Sequence, residues 1–84
     1  MSEEIKLSSS LINIKAQQYF DDIVLKTCYL EIDNFRKLKA RYVMNQLRHE
    51  INTPDELVAF YKACNMYLNC SPDGLRKRYR KIAK

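Results

Sequence analysis

The chain has little of the residue types that interrupt helices, and it has no long apolar run. Its 84 residues include one glycine, two prolines and no tryptophan. So little glycine and proline excludes a collagen-like or low-complexity chain, and 46% hydrophobic residues argue against wholesale disorder. No stretch approaches the ~18 apolar residues of a membrane span, and the acidic, polar start is neither a secretory signal nor a transit peptide. We therefore expect one small folded domain with no membrane association, in the cytoplasm or, in a eukaryotic cell, the nucleus.

The chain also lacks the residue sets that carry most enzyme chemistry. It has no glycine-rich phosphate loop, no nucleophile elbow and no set of serine, histidine and carboxylate, and His49 is its only histidine. Three cysteines, an odd number without a secretory signal, fit a reducing compartment. Cys28, Cys64 and Cys70 lack the paired spacing of a zinc site and are interpreted as small core residues. We expect no enzyme activity, no cofactor and no metal.

Positive charge is concentrated at the C-terminal end. The formal net charge is +5 at pH 7. Residues 1–75 carry nine basic and ten acidic side chains, whereas residues 76–84 carry six basic and no acidic ones. Such a basic block favours a polyanionic partner, either nucleic acid or a membrane surface, and a solvated tail is the alternative.

Apolar residues at helical spacing predict an all-α, small four-helix domain. Residues 1–9 have no such stripe and predict a flexible tail, followed by a single helical domain over residues 10–84 whose first helix starts at Ser10 or Asn13. Asp33 is the predicted cap of the second helix, Thr53 of the third and Ser71 of the fourth. The third helix is expected to stop near Asn69 in a left-handed conformation. The predicted core residues are Ala16, Phe20, Ile23, Val24, Thr27 and Cys28; Phe35, Leu38, Ala40, Val43, Met44, Leu47 and Ile51; Leu57, Phe60, Tyr61, Cys64, Tyr67 and Leu68; and Leu75, Tyr79 and Ile82.

The third and fourth predicted helices form a pair joined by about three residues, and the fourth is short and basic. This arrangement is typical of a helix-turn-helix. The stretch from Leu68 to Tyr79, LNCSPDGLRKRY, resembles the turn and recognition helix of helix-turn-helix DNA-binding domains, with sigma-factor region 4 and response-regulator domains as the nearest pattern. The resemblance covers residues 57–82. Gly74, in the first turn of the fourth helix, indicates a close approach to DNA or to another helix, or a weak helix start.

The resemblance implies that the N-terminal side of the fourth helix faces the major groove of DNA. Arg76 is then the candidate for bidentate contact with guanine, and Asp73 is a candidate partner of cytosine or, alternatively, a carboxylate that serves the helix dipole. The predicted base-contacting residues are Ser71, Asp73, Arg76 and Lys77. The predicted backbone-contacting residues are Arg78, Arg80, Lys81 and Lys84, with Arg36, Lys37, Lys39 and Arg41 on a flanking segment or, alternatively, on an ordinary solvated helix face.

These features predict a small protein that binds duplex DNA, a transcriptional regulator or accessory factor of bacterial, phage or mobile-element type. An alternative is a protein-interaction module that docks on a larger enzyme or polymerase, and RNA binding is a further alternative. Tyr19, Tyr29 and Tyr42 lie beside the apolar stripes and are candidates for a partner interface. For a homodimer, the first helix is the predicted contact.

Overall fold

Four helices make up the part of the chain that the structure describes. A computed structural model describes the backbone of residues 2–28 and 41–83 and the side chains of residues 10–28 and 41–83. Helix α1 spans Ser2–Cys28, helix α2 includes residues 41–48, helix α3 spans Pro54–Asn69 and helix α4 spans Pro72–Ile82. The predicted all-α, four-helix domain is confirmed. Among the described helices, none combines the length and the apolar character that crossing a membrane requires.

Helix α1 is longer than predicted. It begins at Ser2, so the predicted start at Ser10 or Asn13 is wrong. A serine inside a helix costs only about 0.5 kcal/mol relative to alanine, so a run of three serines does not end a helix. The flexible tail at residues 1–9 and the single domain over residues 10–84 stay predictions.

The starts of α3 and α4 follow the predicted caps. The Thr53 hydroxyl oxygen accepts a hydrogen bond from the Glu56 amide at 3.2 Å, and the hydroxyl donates to the Glu56 carboxylate at 3.2 Å. The Ser71 hydroxyl accepts from the Gly74 amide at 3.1 Å. Each cap satisfies one of the backbone amides that a helix start leaves unpaired.

The end of α3 differs from the prediction in its geometry. The helix ends at Asn69 as expected, but the residue that stops it is Cys70 in an extended conformation, with φ −80° and ψ 140°. Ser71 is extended too, with φ −71° and ψ 157°. A residue before proline avoids the helical conformation, so Pro72 forces this geometry on Ser71. Two extended residues, rather than a left-handed asparagine, therefore connect α3 to α4.

Helix α1 packs against both α3 and α4. Lys62 donates a hydrogen bond to Asn13 at 3.3 Å, and Gln17 and Met66 line one depression between α1 and α3. Arg78 of α4 bonds to Asp21 of α1. The buried side chains at the α1–α3 contact include Ala16, Ala59 and Ala63, whose small size lets the helices approach closely.

Most predicted core residues are buried or partly buried, but the burial of Tyr61, Leu68 and Tyr19 differs from the prediction. Tyr61 is 52% exposed and Leu68 is 41% exposed, so their predicted burial is wrong. Tyr19, expected at a partner interface, is buried and packs edge-to-face on Phe60. The predicted core residues Phe35, Leu38 and Ala40 lie outside the described residues, as do Tyr29 and the predicted cap Asp33. The predicted dimer contact on α1 stays a prediction, and its exposed apolar side chains are Leu11 and Ile14.

Candidate nucleic-acid interface

One edge of α4 is fixed against α1. Leu75 is fully buried, and Tyr79 and Ile82 are partly buried against the core. Beside them, the Arg78 guanidinium forms two hydrogen bonds with the Asp21 carboxylate, Nε to Oδ1 at 2.7 Å and Nη2 to Oδ2 at 2.8 Å. The bond to Asp21 raises the pKa of Arg78. These contacts determine which side of α4 faces solvent.

The solvent side of α4 carries four exposed cations. A helix turns by about 100° per residue, so the side chains opposite Leu75 are those near positions 73, 76, 77, 80 and 81. All of these are exposed. We call the four basic ones, Arg76, Lys77, Arg80 and Lys81, the basic strip.

Two of the predicted base-contacting residues interact with each other. Arg76 Nη1 lies 2.9 Å from Asp73 Oδ1, and the two side chains are 44% and 86% exposed. An exposed ion pair of this kind is worth at most about 1 kcal/mol, so it opens readily when another partner is offered. Asp73 is thus paired with Arg76, while its contact with a base and its alternative role at the helix dipole stay predictions.

Gly74 is explained by its own neighbours in the chain. A Cβ atom at this position would lie 2.8 Å from Cys70 Sγ and 3.3 Å from Ser71 Oγ. The first of these distances is shorter than carbon and sulfur tolerate without a shift. The close approach that the glycine indicates is thus to Cys70, in the connection between α3 and α4.

The predicted backbone-contacting residues have different surroundings. Arg80 and Lys81 are exposed on the basic strip, whereas Arg78 is half-buried and directed to Asp21. Arg41 is exposed on α2 and makes no ion pair within the described part of the chain. Lys84, Arg36, Lys37 and Lys39 lie outside the described residues.

Acidic groups gather on the other side of α1. Tyr19 and Asp21 are two residues apart and so point about 160° away from each other. The Tyr19 hydroxyl donates to Glu56 at 3.4 Å; burial, then Glu56 and the more distant Glu50, raises the pKa of Tyr19. Burial also raises the pKa of Asp22, with further contributions from Glu50 and Asp21 against an opposing one from Lys26. We call Asp22, Glu50 and Glu56 the acidic flank.

The cysteines lie in or near the core. Burial raises the pKa of Cys64 to about 11, and it raises the pKa of Cys28 against an opposing contribution from Arg76. Cys64 is therefore a protonated thiol at neutral pH, a poor nucleophile and a poor metal ligand. In residues 10–28 and 41–83, no group of three or more His, Cys, Asp or Glu side chains could hold a metal ion.

The α3–α4 pair combines two capped helix starts, a two-residue connection and a basic outer face. Asp21, which orients this pair, is 57 residues from Arg78, and no local sequence signal connects them. No protein-family model, curated protein or solved structure matches the chain. The helix-turn-helix resemblance therefore stays a prediction, and function is argued from the geometry of α4.

Proposed function

We propose that the chain binds duplex DNA through the basic strip of α4. The observation that carries this proposal is the division of α4 into two sides. Its apolar edge, Leu75 with Tyr79 and Ile82, is used in packing, while four cations stand on the opposite side. A row of cations on a rigid helix supplies the phosphate contacts that dominate affinity for DNA.

Three other polyanions suit α4 less well than duplex DNA. A helix that binds a membrane surface inserts its apolar face among the lipids, but the apolar edge of α4 already packs on the protein. Single-stranded nucleic acid is bound largely by stacking on exposed aromatic rings, and Tyr79, the one aromatic residue of α4, lies on the packed edge. Duplex RNA has a major groove too narrow for a helix.

The dimensions of α4 suit a B-DNA major groove. A helix with its side chains is about 10–12 Å in diameter, which fits a groove about 12 Å wide, and the eleven residues of α4 give it a length of about 16 Å. Arg76 and Lys77 lie in the first half of the helix, where they are proposed to contact base edges once the Asp73 pair opens. Arg80 and Lys81 are proposed to contact phosphates, which fix orientation without reading sequence.

The test is fluorescence anisotropy with a labelled duplex of random sequence at about 50 to 200 mM salt. The variant Lys77→Ala/Arg80→Ala/Lys81→Ala removes three charges from the basic strip. A matched control, Lys26→Ala/Arg48→Ala/Lys62→Ala, removes three exposed charges from α1, α2 and α3. We expect the strip variant to lose at least about 10-fold in affinity and to lower the salt slope by up to about 3, since each phosphate contact contributes about 0.9.

The control variant has the same net charge as the strip variant and is expected to bind within about threefold of wild type. Equal losses in the two variants would show that net charge alone, rather than the placement of the basic strip, controls binding. Absence of wild-type binding at about 50 mM salt would reject the proposal.

A further inference from the structure

The flank of α3 away from α1 presents apolar side chains that the core does not use. Leu57, Tyr61 and Leu68 follow one another at spacings of four and seven residues, which places them on one edge of the helix over three turns. Leu57 is partly buried, and Tyr61 and Leu68 are the side chains whose predicted burial is wrong. None of them contributes to the basic strip.

The neighbouring edge of α2 follows this flank. Arg48 and Leu57 line the same depression, about 340 Å³ in volume, together with Ile51. A short connection favours antiparallel neighbours, so we expect the residues four and seven positions before Arg48, on the same side of α2, to lie beside later turns of α3. These residues are Met44, which is partly buried, and Arg41, which is exposed. We call the surface between the two edges the α2–α3 groove; its residues are Arg41, Met44, Arg48, Leu57, Tyr61 and Leu68.

The groove combines an apolar floor with a cationic rim. Arg41 and Arg48 are both exposed, and neither makes an ion pair in residues 10–28 and 41–83. Among the residues that the structure describes, no carboxylate lies on the two edges that line it, whereas Glu50 and Glu56 belong to the acidic flank near α1. A complementary partner has an apolar stripe bordered by carboxylates. The stripe would cover the two leucines and the tyrosine, and the carboxylates would form ion pairs with the two arginines.

We propose that the α2–α3 groove docks an acidic amphipathic helix of another protein. The edge from Leu57 to Leu68 is about 16 Å long, which is long enough for a docked helix whose anchors at i, i+4 and i+7 span about 10 Å. A second copy of this chain that met the groove face to face would bring Arg41 and Arg48 against the same arginines, and the basic strip of a second copy would be repelled for the same reason. This site is separate from the proposed DNA contact.

The probe is a labelled helical peptide of about 16 residues with leucines at i, i+4 and i+7 and glutamates beside them. A control peptide keeps the leucines and replaces each glutamate by lysine. Anisotropy titration is expected to give binding of the acidic peptide and binding at least about 10-fold weaker for the lysine peptide. Arg48→Glu is expected to reverse that preference.

Matched variants locate the binding. Tyr61→Ser/Leu68→Ser is expected to weaken binding of the acidic peptide at least about 10-fold, whereas Val58→Ser/Met66→Ser, which changes exposed apolar residues elsewhere on α3, is expected to leave it within about twofold. Circular dichroism of each variant establishes that the helices are intact. The proposal is overturned if the acidic peptide does not bind, if both double variants lose equally, or if Lys77→Ala/Arg80→Ala/Lys81→Ala abolishes binding. Light scattering that finds a dimer which Tyr61→Ser/Leu68→Ser dissociates would assign the groove to a second copy instead.

Discussion

Thr27 is fully buried, and its hydroxyl has no hydrogen-bond partner among the described residues. A buried hydroxyl without a partner costs roughly 1–3 kcal/mol, because it has lost its hydrogen bonds to water. Valine has nearly the same shape and no polar atom. We expect Thr27→Val to raise the free energy of unfolding by about 1 kcal/mol, measured by urea denaturation.

Thr27→Ser separates the hydroxyl from the packing of the methyl group. It keeps the unpaired hydroxyl and removes one methyl from the core, so we expect it to lower the free energy of unfolding by about 1 kcal/mol. A Thr27→Val protein no more stable than wild type would show that the hydroxyl is satisfied after all.

Gly74 and Cys70 form a coupled pair at the start of α4. Alanine is favoured over glycine in a helix by up to about 1 kcal/mol, but a Cβ at position 74 would meet Cys70 Sγ at 2.8 Å. We expect Gly74→Ala to destabilise the wild type by about 1 kcal/mol and to stabilise a Cys70→Ala background by up to about 1 kcal/mol. A double-mutant cycle on urea denaturation measures this reversal. If Gly74→Ala has the same effect in both backgrounds, the Cys70 side chain adopts another rotamer at no energetic cost.

At the scale of elements, α4 is held on α1 by Leu75 and by the bidentate pair of Arg78 with Asp21. The two side chains of the pair are only 30% and 25% exposed, so solvent screens them less than a surface pair. Asp21→Asn keeps the shape of the side chain and removes the charge. We expect it to lower the free energy of unfolding by about 1 kcal/mol, measured by urea denaturation.

Asp22 is the matched control for this prediction, because it is the next residue and faces the acidic flank instead. Asp22→Asn changes the net charge equally and is expected to leave stability at pH 7 unchanged or slightly higher, since it relieves repulsion from Glu50. Equal destabilisation by the two substitutions would indicate that stability depends on the total negative charge of this part of α1, and not on the contact between Asp21 and Arg78.

Local sequence signals predicted the starts of α3 and α4, but they could not predict the contacts between helices. The Thr53 and Ser71 caps act within three residues, so their patterns are visible in the sequence. Periodicity marked a broad apolar side on α3, but it does not say which part of that side a neighbour covers. Ala59 and Ala63 are small enough to admit α1, and Tyr61 and Leu68 are left at the opposite edge.

The same limit applies to the candidate interface. Sequence charge alone identified the basic fourth helix, and the exposed Arg80 and Lys81 agree with that pattern. The inward direction of Arg78 was not predictable, because its partner Asp21 comes from α1 and the spacing of 57 residues carries no local signal. The fold thus assigns one cation of the block to structure and leaves four on the solvent side.

At the scale of the whole molecule, α1 separates two surfaces of opposite charge. Asp21 anchors the helix that carries the basic strip, while Tyr19 and Asp22 face Glu50 and Glu56 on the acidic flank. Opposite charges on opposite sides orient the molecule in the field of a polyanion before contact. The acidic flank would then point away from bound DNA.

The acidic flank also makes stability depend on pH in a defined direction. A carboxyl group whose pKa is raised by folding contributes stability below its unfolded pKa and loses that contribution as pH rises through the folded pKa. The pKa of Asp22 is raised by folding from its ordinary value of 3.8. At neutral pH wild-type Asp22 is therefore ionised, and its contribution to stability has been lost. Tyr19, whose pKa is raised from 10.0, adds a second loss of stability at alkaline pH.

Asp22→Asn isolates the carboxyl contribution, because asparagine is neutral at every pH and all other titrating groups are shared with wild type. We expect the variant to be more stable than wild type at neutral pH, by a few tenths of a kcal/mol since Asp22 is exposed and screened by solvent. The difference is expected to shrink as pH falls and to vanish below the ordinary value of 3.8, where wild-type Asp22 is protonated in both states. Thermal unfolding of both proteins across that range measures the difference. A gap that stays constant or widens toward acid pH would show that Asp22 is stabilised by Lys26 more than it is opposed by burial and by Glu50.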